Sequence, residues 1–420
     1  MGEWKTTELS PNLCTIIAGS TPATVDARYW EGENVWITPN DLSRFDGHII
    51  RDSNRKLTDL GVKRATGKLL PAHSVVISCR APVGYCAIVS VPFSTNQGCK
   101  TLICHGINET YLYYVLTQST AALERVSSGT TFLELPKKEL AQFKMSFPVS
   151  SAEQSKIAEI LLTMDEAIDK TRALIEKYKN IKVGMMHDLL TNGIDEYGNI
   201  RSTETHEYND SLVGKIPAEW DVQPLSNLTE KIADRDHTTP NYVMHGVYIV
   251  SPKDFDEYDR INFSKCARIS HKDHMINRKK TDIRRGDLIF TRIGAGLGKV
   301  CCVTEDMPEF SILHSAAMVR VNRNITALLL MYIIKSFYFQ KQISDGIQSI
   351  GVPDLGLDKI NSLLVSYPTN GQEQERITEI LVAADERIQT ERDYLAKLQD
   401  IKQGLMQDLL TNTVSVDALL

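Results

Sequence analysis

A chain of 420 residues with 42% hydrophobic and 24% charged residues has the composition of a globular protein, and its length predicts two or more domains. The longest apolar run, at 327–334, is too short to cross a bilayer, and no export signal precedes the first domain, so we expect a cytoplasmic protein. The net charge of −6 argues against a simple DNA-binding protein.

Residues 1–146 are predicted to form a mixed α and β domain. Short β-branched and aromatic runs at 74–78 and 87–91 are bounded by Gly, Pro and Asn, which is typical of strands. A helical pattern interrupts them at 111–126.

Residues 147–194 predict a long helix. Pro148 precedes it, and Ser151 and Gln154 have the spacing of a capping box. Apolar residues then recur at alternating steps of four and three, which indicates a heptad seam suited to pairing with a second helix. The seam residues are Ile157, Leu161, Met164, Ile168, Ile175 and Tyr178.

The second half of the chain follows the same order. A polar linker at 195–217 precedes a second mixed domain at 218–366, which contains a strand-like run at 247–250 and a helical pattern at 328–343. A second long helix is predicted at 367–412, with a tail at 413–420. Its seam residues are Ile377, Leu381, Ala384, Ile388, Leu395 and Leu398.

The two long helices are copies of one another at a constant offset of 220 residues. About 21 of 48 positions from 147 to 194 are identical in the second copy without a gap, so each half is a variable domain followed by a nearly constant helix. The natural partner of one seam is the other. Thr171 and Glu391 interrupt the seam at equivalent positions; they fix the register of the pair, or they mark a bend or a solvated gap.

Charge is distributed unevenly along the chain. Residues 1–146 carry a net charge of +2 and residues 197–366 a net charge of 0, whereas the helical regions 147–196 and 367–420 carry −3 and −5. Phosphate contacts need local Lys and Arg rather than a global excess, so the variable domains are where DNA could bind. The small net charge of these domains also suggests that partner subunits contribute part of the DNA-binding affinity.

The sequence contains no recognisable catalytic motif. The run from Gly294 to Lys299 resembles a phosphate-binding loop, but Ile293 and Val300 stand where Gly and Ser or Thr are needed, so a turn between strands fits better. Signatures of an amino-methyltransferase and of a metal nuclease are also missing, and the ten histidines are scattered singly. We therefore expect no catalytic residues.

The eight cysteines do not have zinc-site spacing. Cys86, Cys99, Cys104 and His105 come nearest to a ligand cluster, but no CxxC pair is present. Reduced cysteines buried in strands are the better interpretation, and we expect no metal site.

The chain consists of a variable domain, a repeated helix with Glu-Gln near its start, and a second copy of both. This arrangement resembles that of the specificity subunits of type I restriction–modification systems, and the resemblance covers nearly the whole chain. The opening of the first domain is similar to that family at Gly19-Ser-Thr-Pro22, Tyr29-Trp30, Trp36-Ile37 and Asp41-Leu42. So are Gly129-Thr-Thr with Leu135-Pro136, and the Phe147-Pro148 and Tyr367-Pro368 pairs before the helices. The second domain departs from the opening pattern, with Asp236-His-Thr-Thr-Pro240 and no matching tryptophans.

The resemblance implies an α+β fold with two mixed α/β target-recognition domains, joined by two long antiparallel coiled-coil helices in a pseudo-two-fold internal repeat. Each domain would read one half of a bipartite, asymmetric DNA target. The helices would dock two methyltransferase subunits, and restriction and translocase subunits would complete the complex. The chain itself would be non-catalytic, with no cofactor of its own. S-adenosylmethionine, ATP and Mg would belong to the partner subunits.

Candidate DNA-contact residues are basic, amide, hydroxyl and aromatic side chains near the openings of the domains and in basic clusters. Arg and Asn offer the bidentate geometry that distinguishes guanine and adenine, whereas Lys and Arg clusters suit phosphate. Each could instead be a surface or packing residue. The candidates in the first domain are Thr21, Arg28, Trp30, Asn40, Arg44, Arg51, Arg55, Lys56, Arg80, Asn96 and Gln97. Those in the second are Arg235, His237, Thr238, Thr239, Lys279, Lys280, Arg284, Arg292 and Lys299.

An alternative function is a non-catalytic coiled-coil scaffold or tether that binds only proteins. In that case the seam itself would be the function. Salt-sensitive binding to a bipartite duplex distinguishes a DNA reader from such a tether.

Overall fold

The computed structural model describes residues 3–80, 82–127, 133–294, 296–347 and 353–416. The chain forms two compact units, one comprising Met1–Arg172 and Asp393–Leu420 and the other comprising Ala173–Arg392. We call these the first and the second unit. Each contains one mixed α and β domain, the first or second domain, together with segments of two long helices.

The first domain is built from short strands and short helices. Its strands are β1 (Trp4–Glu8), β2 (Cys14–Ala18), β3 (Trp30–Ile37), β4 (Ile49–Ile50), β5 (Lys56–Leu57), β6 (Ser74–Ser78), β7 (Cys86–Val89), β8 (Phe93–Thr95), β9 (Cys99–Cys104) and β10 (Lys144–Pro148). Its helices are α1 (Pro39–Arg44), α2 (Asp59–Ala65), α3 (Glu109–Gln118), α4 (Thr120–Arg125) and α5 (Lys137–Gln142). The predicted strands at 74–78 and 87–91 are confirmed, and the helical pattern at 111–126 is two helices.

Three sheets organise this domain, in the strand orders β2-β9-β6-β7-β4, β5-β3-β8 and β1-β10. Helix α3 packs on β6 and β7 and buries Tyr111, Leu112 and Tyr114 in the largest core of the unit. It begins at Glu109 because the Asn108 side chain accepts hydrogen bonds from the first free backbone amides of the helix. The first and last strands, β1 and β10, pair antiparallel with Trp4 opposite Pro148.

The second domain uses a closely related set of elements. Its strands are β13 (Trp220–Pro224), β14 (Thr229–Asp234), β15 (Tyr242–Val250), β16 (Ala267–Ile269), β17 (Leu288–Thr291), β18 (Val300–Cys302), β19 (Phe310–Ile312), β20 (Ala316–Val321) and β21 (Leu364–Pro368), preceded by the hairpin β11 (Tyr208–Ser211) and β12 (Gly214–Pro217). Its helices are α7 (His271–Arg278), α8 (Ala327–Lys335), α9 (Phe337–Gly346) and α10 (Leu357–Ser362).

The two domains share one topology. The strand orders β14-β20-β17-β18, β16-β15-β19 and β13-β21 of the second domain match the three sheets of the first, except that the first has the additional strand β4. In both, the middle sheet combines one antiparallel and one parallel pair. The two variable domains therefore have the same fold, although their sequences differ.

The predicted long helices are confirmed. α6 (Ser151–Thr191) and α11 (Gly371–Leu410) have 41 and 40 residues, or about 60 Å each at 1.5 Å per residue, and begin 220 residues apart. Most of the predicted seam residues are buried: Ile157, Leu161, Ile168, Ile175, Ile377, Leu381, Ile388 and Leu398. Met164, Tyr178, Ala384 and Leu395 are half-buried.

The polar residues in the seam are also buried. Thr171 is 6% exposed and donates its hydroxyl hydrogen bond to the Ala167 carbonyl, whereas Glu391 is 9% exposed and pairs with Arg387 at 2.8 Å. Both helices continue through these positions without a break. A solvated gap at this level is therefore wrong.

The segment predicted as a polar linker, 195–217, is folded in the second unit. It contains the hairpin of β11 and β12 and buries Arg201 and Ile216. The Arg201 guanidinium donates to both carboxylate oxygens of Glu373, which is itself 6% exposed. A buried ion pair and a small apolar contact hold this connecting segment against the start of α11.

The repeated Glu-Gln pair explains how each domain is attached to its helix. Gln154 accepts from the backbone amide of Asn108 at 2.8 Å and donates to the Pro148 carbonyl at 2.9 Å. Gln374 does the same with the Thr326 amide at 3.0 Å and the Pro368 carbonyl at 2.9 Å. One buried amide thus joins the last strand, the cap of the domain helix and the long helix in each unit.

The glutamates of the pair receive tryptophan hydrogen bonds from the first strand of each domain. The Trp4 indole donates to Glu153 at 3.3 Å, and the Trp220 indole donates to Glu373 at 3.1 Å. We call each set of a Trp, a Glu and a Gln side chain a helix-start junction. The two junctions have the same contacts because the residues that form them are repeated.

Each unit also contains one interhelical ion pair with a tyrosine beside it. In the first unit Asp165 accepts from the Tyr114 hydroxyl at 2.6 Å and pairs with Lys402. In the second unit Asp385 accepts from the Tyr332 hydroxyl at 2.7 Å and pairs with Lys182. Within each unit, a segment of α6 therefore contacts a segment of α11 and the domain helix at the same place.

The cysteines form no disulfide among themselves in this structure; all eight are free. Burial raises the pKa of the Cys14 thiol to about 12, and it does the same for Cys104. Within the described residues, no group of three or more His, Cys, Asp and Glu side chains is arranged to hold a metal ion. Nor does this part of the chain contain a helix long and apolar enough to span a membrane.

We predict that Glu373→Ala lowers the free energy of unfolding of the second unit by about 3–5 kcal/mol, because it leaves the buried Arg201 guanidinium and the Trp220 indole without their acceptor. Glu379→Ala is the matched control, since Glu379 is exposed on the same helix. Urea unfolding of the two variants measures the difference. Equal losses would contradict the structural role of the junction.

Candidate nucleic-acid interface

Two loops meet at the same edge of the first domain. One follows β2 and the other joins β8 to β9. Gly19 lies against Thr95 so closely that any Cβ at this position would collide with it, which permits the loops to approach. The Thr21 hydroxyl donates a hydrogen bond to the side-chain oxygen of Gln97. Asn96 accepts from the Gly98 amide at 2.9 Å and shapes the second loop.

The second domain has the same pair of loops with different side chains. The loop after β14 and the loop between β19 and β20 bring His237 and His314 together, with ring centroids 4.5 Å apart and planes inclined by 34°. His237 is exposed and His314 is half-buried. By position in the topology, this pair corresponds to Thr21 and Gln97. We call the two equivalent edges the loop-pair sites.

Two arginines predicted as DNA contacts are buried beneath the second loop-pair site. Arg235 is 5% exposed and donates to Asn277 at 2.8 Å and to Thr238 at 3.2 Å. Arg292 is 6% exposed and pairs with Asp354 at 3.1 Å and with Asp234 at 3.4 Å. In the free chain these two side chains are therefore buried, and their contacts hold the loops.

Trp30 is a third predicted contact that lies in the core. It is 6% exposed, packs edge-on against Trp36 with centroids 5.0 Å apart, and donates from its indole to the Ala23 carbonyl at 3.1 Å. Its role is to hold the loop after β2. Arg55 lies over its ring at 3.7 Å, so the structure brings these two predicted residues together.

An open groove in the first domain contains several further candidates. It has a volume of about 610 Å³, and its lining includes Asn40 and Arg44 from α1 with Arg51 from the loop after β4. The Thr38 side chain caps α1 at its first turn, so the helix that carries Asn40 and Arg44 begins at a defined residue. The structure therefore brings these three candidates together.

The remaining basic candidates are engaged in exposed or partly exposed ion pairs. The pairs, with their shortest nitrogen–oxygen distances, are Arg28–Asp26 (2.7 Å), Lys56–Asp52 (3.1 Å), Arg80–Glu134 (3.2 Å), Lys280–Asp236 (2.8 Å) and Arg284–Asp282 (2.5 Å). Lys299 donates to the Asp256 carbonyl at 2.8 Å, while Lys279, Thr238 and Thr239 are exposed. Exposed pairs of this kind contribute little to stability and can exchange their partner for a phosphate.

His314 was not among the residues predicted from the sequence. Its partner His237 lies far away in the sequence, and a single histidine between two short strands carries no local signal. Gly294 and residues 296–299 lie between β17 and β18, and the backbone amide of Lys299 donates to the Gly296 carbonyl, as expected of a turn between strands. The part of the family pattern at 129–131 lies outside the described residues.

The chain was compared with known proteins. A family model described as the type I restriction modification DNA specificity domain matches residues 1–180 and 217–400. The MjaIX specificity subunit of a type I restriction enzyme from Methanocaldococcus jannaschii is 33% identical over 216 residues, covering 51% of this chain and 49% of the relative. The chain thus spans about half the length of that relative. The MjaVIII specificity subunit from the same organism is 23% identical over 322 residues, which is 74% of this chain and 72% of the relative.

A solved structure shares the fold. The S subunit of a type I restriction–modification system from M. genitalium superposes with a TM-score of 0.57 at 15% identity, covering 97% of this chain and 96% of that one. The match of the family model to both halves of the sequence confirms the resemblance inferred from the repeat, and the family is one of specificity subunits and not of enzymes. The chain therefore belongs to the type I restriction–modification DNA specificity family.

Proposed function

We propose that this chain is the DNA-reading, non-catalytic subunit of a type I restriction–modification complex, and that each domain binds one half of a bipartite, asymmetric target. One observation carries the proposal: two domains of the same topology present equivalent loop-pair sites with different side chains. Base identity is read by side-chain donors and acceptors. Two domains with the same fold but different side chains at the loop-pair sites can therefore read two different half-sites.

We infer that α6 and α11 pair antiparallel and act as a spacer between the domains. The two interhelical ion pairs support this: Asp165 precedes Lys182 on α6, and their partners Lys402 and Asp385 follow in reverse order on α11. The two positions are 17 residues apart on each helix. We propose that this spacer serves half-sites about one turn of DNA apart.

The partners we propose are two methyltransferase subunits docked on the long helices, with restriction and translocase subunits in the full complex. S-adenosylmethionine, ATP and Mg would be bound by those partners. Exposed apolar side chains on the helices support docking, since Ile181, Val183 and Ile401 are 45%, 68% and 42% exposed. The two domains carry little net positive charge, which supports the proposal that the partner subunits also contact the DNA phosphates.

We expect the chain, assembled with the methyltransferase of its own system, to bind a duplex that carries the methylated target found in its host genome. Binding should weaken steeply between 50 and 200 mM salt because phosphate contacts release counterions. Fluorescence anisotropy measures the affinity, and a duplex with one half-site scrambled is the control. A complex that assembles but binds neither duplex would leave the protein-only tether as the function, and equal binding of both duplexes would contradict the reading of half-sites.

We expect spacer length to determine the separation of the half-sites. Inserting seven residues at matched positions of α6 and α11 preserves the heptad phase and adds about 10 Å, or about three base pairs. Sequencing of methylated adenines in cells that carry the variant should therefore show a longer gap between unchanged half-sites. A gap of the original length would contradict the spacer function.

We also expect the two domains to read independently. Replacing residues 1–146 by another recognition domain should change one half of the methylated target and leave the other half unaltered, because each domain has its own sheets, core and loop-pair site. Replacing 218–366 is the reciprocal experiment. A change in both halves after a single replacement would show that the domains do not act separately.

A further inference from the structure

The second loop-pair site contains a pair of titratable rings where the first contains none. His237 and His314 stack with centroids 4.5 Å apart, whereas the equivalent Thr21 and Gln97 are neutral at every physiological pH. Histidine is the side chain whose charge changes near pH 6.5, so this difference between the domains is chemical as well as steric.

Charged groups from several elements face the pair. Arg235 and Asp234 approach from the end of β14 and Arg292 from the end of β17. Burial lowers the pKa of His314, and His237, Arg292 and Arg235 lower it further, whereas Asp234 opposes them. In the free chain, the surroundings of His314 therefore favour its neutral form at neutral pH.

The acidic groups around this site are shared with other cations. Lys280 pairs with Asp236 at 2.8 Å and with Asp234 at 3.5 Å, and Asp354 pairs with Arg292. Little carboxylate charge is left to stabilise a histidinium. An added negative charge would thus find a site already surrounded by cations.

Two buried donors of the same cluster lack an acceptor among the described residues. They are Nη1 of Arg235 and Nε of Arg292. Both side chains are more than nine-tenths buried, and an unsatisfied buried donor of a charged group is costly, which favours the arrival of an acceptor.

We propose that His237 and His314 together bind an anionic or acceptor-rich group of the second half-site, and that this binding takes up a proton. The inference rests on the proposed DNA-reading function and deepens it. The group is either a DNA phosphate or the N7 and O6 edge of a guanine, both of which accept hydrogen bonds from a histidinium. The first domain binds its half-site without proton uptake at the equivalent position.

The sign of the pH dependence follows from linkage. A negative group beside an imidazole stabilises its protonated form, so the pKa of His314 is higher in the complex than in the free chain. The added affinity is complete below the pKa that His314 has in the free chain. It is lost as the pH rises through the pKa that His314 has in the complex. DNA should therefore be bound more tightly at pH 6 than at pH 8.

The test uses the full chain with its methyltransferase partner and the host-derived target duplex at constant ionic strength. The affinity of the wild type should fall by about fivefold or more from pH 6 to pH 8, within the limit of tenfold per pH unit for one proton. The variant His237→Thr/His314→Gln, which carries the pair found in the first domain, should lose that dependence. His206→Gln removes another imidazole from the same unit and should retain it.

The outcomes separate the two proposals. If no duplex is bound at any pH, the DNA-reading function fails. If the duplex is bound but the wild type and the double variant have the same pH dependence, the histidine proposal fails and the function stands. The reverse variant Thr21→His/Gln97→His should add pH dependence, which keeps the test decisive if the first variant does not fold.

Sequencing of the sites that are methylated in cells carrying the double variant distinguishes a guanine edge from a DNA phosphate. A changed base in the second half-site identifies a base edge. An unchanged target that is bound more weakly at pH 6 identifies a phosphate, since phosphate contacts carry no sequence information.

Discussion

The structure depends on one buried amide in each unit. Gln154 and Gln374 each bridge the last strand of a domain, the cap of its α3 or α8 helix and the long helix that follows. The side-chain oxygen of each glutamine accepts a hydrogen bond and its side-chain nitrogen donates one. Rotation of the domain on its helix would therefore break several buried hydrogen bonds together. The direction in which each loop-pair site faces is therefore determined at the helix start, far from the loops themselves.

The two copies differ at one junction residue and at the loop-pair sites. Glu373 accepts from the buried Arg201 as well as from Trp220, whereas Glu153 accepts from Trp4. Likewise, the same edge of the sheet carries Thr21 and Gln97 in one domain and His237 and His314 in the other. Repeated residues maintain the scaffold, and the residues that differ between the copies provide different chemistry on it.

The long helices, their start points and most of the seam could be predicted because they follow from local periodicity and from the offset of 220 residues. The mixed domains were predictable as a class but not in topology. The burial of Trp30, Arg235 and Arg292 was not predictable, since it results from sheet packing between residues distant in the chain. The hairpin and the buried ion pair of Arg201 with Glu373 within residues 195–217 were not predicted, because the residues that form them look like a polar linker in sequence.

The pairing of first and last strands has a further consequence. Trp4 lies opposite Pro148 and Trp220 lies opposite Pro368. The chain therefore enters and leaves each domain at neighbouring positions. A module with neighbouring ends can be gained or lost as one piece without stretching the chain. Genetic crossover between the repeated stretches that encode the long helices would therefore exchange a whole domain in one event instead of through many point mutations.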